Sequence, residues 1–127
     1  MADFELEIRQ MGEREGYRVV DSATGDFRSN PKPKPNQTVR WHSPEKDAYV
    51  LFLAESPFDI AEGKPVKGQP VGPLIEIKAG GSSDEYRMKT GLNHKDCYEY
   101  AVIVKEDTRK YIYVRGAASP PGVAVGP

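Results

Sequence analysis

Glycine and proline break this chain so often that a long helix has little room in it: 12 Gly and 11 Pro are spread over 127 residues. Glycine costs a helix backbone entropy, and proline removes a donor and clashes with the preceding turn. Between these breaks the apolar residues recur every second position, many of them Val, Ile, Tyr and Phe. Such side chains suit a pleated, half-buried surface. The pattern predicts an all-β domain of short strands.

The alternation is clearest near the start. Phe4, Leu6 and Ile8 fall on one side, and Asp3, Glu5, Glu7 and Arg9 on the other, which is the signature of a half-buried strand. Residues 17–20 form a second strand. Asn30-Pro-Lys-Pro-Lys-Pro35 places prolines at every second position. It is expected to be extended, as a sheet edge or a rigid crossover. Val39 and Trp41 then share a face, with Arg40 pointing away and Trp41, the single tryptophan, expected to anchor the core. Residues 48–54 are almost continuously apolar and read as a central strand buried on both sides. Residues 56–73 are the longest irregular stretch, with four prolines and three glycines.

Further strands are expected at 74–78 and 85–89. Residues 97–104 give the strongest strand, with 110–115 as its antiparallel partner. Tyr98, Tyr100, Tyr111 and Tyr113 are expected to support the core and sheet through cross-strand aromatic pairs. Val123 and Val125 mark a last edge strand. With no repeat and no boundary, residues 1–127 read as a single two-sheet antiparallel sandwich.

Three segments carry a family resemblance. Lys34-Pro-Asn-Gln-Thr-Val-Arg-Trp41 resembles the K-P-G-D-T-V-x-W turn and strand of cupredoxins. Tyr98-Glu-Tyr-Ala-Val-Ile-Val104 resembles their late Y-x-Y-x-V strand, and Ser119-Pro-Pro-Gly-Val-Ala-Val-Gly-Pro127 is similar to the ending of small bacterial members. The resemblance implies a cupredoxin-like sandwich, with an immunoglobulin-like topology as the other arrangement of the same strands. Blue-copper sites use two His, one Cys and a weak axial Met, and the family pattern places Cys, His and Met after the late strand. Here Lys105-Glu-Asp-Thr-Arg109 stands there, His42 is beside Trp41, and Cys97 begins its strand. The expectation is a relative without the copper site, with no cofactor and no electron transfer.

Other chemistry is thinly marked. His94 and Cys97 form a His-x-x-Cys pair, and His42 with a carboxylate would bring the set to four ligands. A copper- or zinc-binding protein using His42, His94 and Cys97 is the alternative reading. Cys97 as a nucleophile would need a base and an orienting group. Asp84, Glu85, Asp96 and Glu99 read as solvated surface. Gly80-Gly81-Ser82-Ser83 lacks the ending of a phosphate loop.

A net charge of −1 and sparse lysines (Lys32, Lys34, Lys64, Lys67) give no stripe for nucleic acid. No apolar run approaches the ~20 residues that span a bilayer, and the first residues lack a basic and apolar leader. These features set the expectation of a cytoplasmic, non-enzymatic protein-binding or assembly module. Its partner would be another protein or a second copy, met at residues 56–73 and at the edges near 31–35 and 123–125.

Overall fold

The computed structural model describes residues 2–12, 16–26, 30–53, 57–58, 75–92, 97–114 and 122–124. Among them ten strands and no helix form two five-stranded sheets. The first sheet contains β1 (Phe4–Gln10), β2 (Tyr17–Asp21), β3 (Thr38–Ser43), β6 (Gly81–Ser82) and β7 (Tyr86–Arg87). Its order is β2-β1-β3, with β6 and β7 each pairing a different part of the far side of β3. The second contains β4 (Ala48–Phe52), β5 (Ile75–Ile77), β8 (Cys97–Lys105), β9 (Tyr111–Val114) and β10 (Gly122–Ala124). Its order is β10-β8-β4-β5, and β9 pairs the C-terminal half of β8. The all-β, two-sheet sandwich architecture expected from the alternation is what the chain forms.

One pairing departs from an antiparallel plan. β1 and β3 run parallel, with Phe4 beside Val39, Glu5 beside Arg40 and Leu6 beside Trp41. Every other pairing of strands is antiparallel. Alternation specifies which face a strand buries and is silent about its neighbour's direction.

The core lies between the sheets. Leu6, Ile8, Val39 and Trp41 face inward from the first, and Val50, Ile77, Tyr100, Val102, Val104 and Val114 from the second. Trp41 is its centre, as expected. Its ring meets Tyr100 edge-on at 5.4 Å, Phe58 at 5.8 Å and Phe52 at 6.3 Å. Its indole N–H donates to the Tyr100 hydroxyl at 3.3 Å, which gives these two buried polar atoms a partner. Burial pushes the Tyr100 phenol far above its ordinary range.

Phe58, inside the long irregular stretch, is fully buried and bridges to Met88. The rest of 56–73, apart from Pro57, lies outside the described residues, as do His94 and Val125.

The proline segment lies alongside the edge strand β10 without joining the sheet. The amide of Ala124 donates to the Pro31 carbonyl at 3.0 Å, and that of Gly122 to the Asn30 side chain at 3.2 Å. The segment ends in a turn at Lys34-Pro35-Asn36-Gln37, closed by the Gln37 amide on the Lys34 carbonyl. Asn36 has φ 70° there, the left-handed position that this proline-led turn demands of its third residue.

Two sequence expectations are corrected. β4 is central but buried on one face only: Ala48 and Val50 point inward, while Tyr49 and Leu51 are half-buried on the outer face. The four tyrosines do not form an aromatic ladder. Tyr98 and Tyr100 lie on the inner face of β8, whereas Tyr111 and Tyr113 lie on the outer face of β9, opposite Lys105 and Ile103. In Tyr-Ile-Tyr-Val both alternating sets are apolar, and the inward set is Ile112 and Val114.

Candidate functional site

The outer face of the first sheet carries a connected polar network. Glu5 on β1 stands between Arg40 and His42 on β3 because the parallel pairing brings those outward positions together. Arg40 donates Nε to Glu5 Oε1 at 2.9 Å and Nη2 to Oε2 at 2.8 Å. This fork geometry is the strongest carboxylate contact a side chain makes. His42 Nε2 lies 2.7 Å from the same Oε1, and its Nδ1 lies 2.5 Å from Ser82 Oγ on β6. The Arg40 fork holds the Glu5 carboxyl below the usual range; burial opposes that, and His42 adds to it. Alongside, Glu7 pairs with Arg9 at 2.6 Å and so raises the guanidinium. Val20, opposite Glu7, is an apolar residue on this face and is only 1% exposed.

Ser82, His42 and Glu5 stand in the order of nucleophile, base and orienting acid. Acyl chemistry also needs donors aimed at the developing oxyanion. The amide that follows Ser82, that of Ser83, donates instead to the Trp41 carbonyl at 2.8 Å. The network therefore reads best as a strap across β1, β3 and β6.

Of the metal candidates, His94 lies outside the described residues, and His42 and Cys97 are not brought together. His42 lies on the outer face of the first sheet. Cys97 belongs to the second, on the side shared by Glu99 and Ile103. The core separates them by a layer of roughly 10 Å, against metal–ligand bonds of about 2.0–2.3 Å. The Cys97 thiol is pushed up by burial and then by Glu99, while a contact from Asn30 Nδ2 at 3.8 Å opposes them. A raised thiol is a poorer nucleophile. The site is also cramped, since a Cβ on Gly122 would meet Cys97 Sγ at 2.6 Å.

The outer face of the second sheet is different in kind. Tyr113, Ile103 and Tyr49 stand in one row across β9, β8 and β4, and Ala101 and Leu51 in the next. Tyr111 and Leu53 extend it at opposite ends. Tyr111 is 56%, Tyr113 53% and Leu53 54% exposed, the large apolar side chains most open to solvent among the described residues. Glu99 flanks the apolar rows at one end of β8 and Lys105 at the other. Among the described residues neither has an ion-pair partner.

Sequence reasoning placed Tyr49 in a doubly buried strand and the two β9 tyrosines in sheet support, so it missed this face. The available signal was the lack of a charged alternate set in residues 48–53 and 111–114. No family model matches the chain, no curated protein matches it, and no solved structure matches it.

Proposed function

We propose that this chain is a protein-binding module whose contact surface is the outer face of the second sheet. The observation that carries this is the contiguous set Tyr49, Leu51, Ile103, Tyr111 and Tyr113, with both β9 tyrosines more than half exposed. Apolar patches larger than a few hundred Å² mark interaction sites. Tyrosine is favoured in them because it offers a large area at low entropic cost. The edges named from sequence are weaker candidates, since the Ala124 amide is already taken by the Pro31 carbonyl.

The reading extends to a cupredoxin-like scaffold without its copper site, acting in the cytoplasm. Support for the scaffold comes from two of the three resembling segments, which contribute β3 and β8, an interior strand of each sheet. Support for the compartment is the single cysteine, which permits no internal disulfide.

A photo-crosslinking residue placed at Tyr113, and in a second protein at Arg87 on the opposite face, tests the reading. Adducts to polypeptide are expected from position 113 and not from 87. Equal yields from both, or none from 113, would contradict it.

A further inference from the structure

We infer that the occupant of this face is a second copy of the chain, related by a twofold axis crossing β8 at right angles near Val102. This rests on the binding reading above and adds the partner and its register. The outward positions of β8 run Cys97, Glu99, Ala101, Ile103, Lys105. Such an axis reverses the strand direction, so Glu99 of one copy lies over Lys105 of the other, twice. Both charges lack an ion-pair partner among the described residues, and the operation gives each one.

The same axis sets Ile103 over the small Ala101, and Tyr49 over Leu51, on the paired rows of β8 and β4. Ile103 thereby meets a small residue that is recessed below the face, Ala101 being 6% exposed, as interdigitating sheets about 10 Å apart require. A symmetric dimer must use one patch that complements itself, and this patch does so in both charge and size.

The area limits the strength. Beyond β4, β5 presents Glu76, paired with Lys78 at 2.6 Å, so the apolar face spans three strands spaced at ~4.8 Å over about 20 Å of strand length, roughly 300 Å² per copy. That is below the size of stable interfaces and corresponds to a transient dimer, populated at high protein concentration.

Sedimentation equilibrium of the full chain up to about 1 mM, with Glu99→Lys and Lys105→Glu variants, tests the inference. Each variant alone creates two like-charge contacts and should weaken association at least ~10-fold. An equimolar mixture of the two creates two opposite-charge contacts and should restore association between unlike copies. Circular dichroism of each variant checks that the sandwich is intact. A wild-type chain that stays monomeric overturns the inference, as does a dimer indifferent to both substitutions, or a mixture that fails to recover. The binding reading is judged separately, because Tyr113 crosslinks to a different polypeptide would uphold it while the second copy is rejected.

Discussion

The two outer faces of this sandwich are built on the same inner core and the same alternation, and they differ in what their outward residues have left to offer. On the first sheet, Glu5 accepts from Arg40 and His42 through both oxygens, His42 also meets Ser82, and Glu7 holds Arg9. These five side chains are matched to one another or to Ser82 within the chain. On the second, Tyr113, Ile103, Tyr49 and Leu51 present apolar surface to solvent, and Glu99 and Lys105 have no ion-pair partner among the described residues. A partner on the first face would have to displace close contacts. One on the second face gains about 25 cal/mol for each Å² of apolar surface it removes from water. Exposed polar residues thus do not identify the reactive side of a domain; the unmatched groups do.

The comparison collapses if the shared core is lost. Trp41→Ala should destabilise the fold by about 3–5 kcal/mol, read as a shift in the chemical denaturation midpoint, and should impair both faces together. A change confined to one face would show that the sheets do not depend on a common centre.

The strap is expected to matter less, and only to stability. Arg40→Met should cost about 1 kcal/mol, the upper end for partly exposed pairs, without altering any association. Its pH dependence has a definite sign. The folded pKa of Glu5 is depressed below its ordinary value of 4.5. The stabilisation is therefore present above pH 4.5 and fades as pH falls through the lower folded value. The difference in stability between wild type and Arg40→Met should shrink below pH 4.5; a difference that grows there would refute the strap.

The smallest stability effect is predicted on the tyrosine face. Tyr111→Ser with Tyr113→Ser should leave unfolding free energy within about 0.5 kcal/mol of wild type while reducing crosslinking and self-association. A large loss of stability would return these tyrosines to the structural role that their sequence suggested.

Where the alternate residues were charged, the sequence revealed orientation plainly. In β1, Glu5, Glu7 and Arg9 must face water, and Leu6 and Ile8 do enter the core. In β4 and β9 both sets are apolar, so orientation depended on the partner sheet. Glu5 and Arg40 could each be assigned an outward face, but their meeting required the parallel pairing of β1 with β3, thirty-five residues apart. Phe58 was hidden for another reason: its packing on Trp41 and Phe52 comes from an isolated bridge to Met88, which has no periodic signature.

The most direct test of the claim that the tyrosine face associates and the ion-paired face does not is a residue-resolved amide and side-chain NMR map over rising protein concentration. The account predicts shift changes clustered at Tyr49, Leu51, Ala101, Ile103, Tyr111 and Tyr113, with Glu5, Arg40 and His42 unmoved. Changes centred on Glu5, Arg40 and His42, or no changes at any concentration, would contradict it.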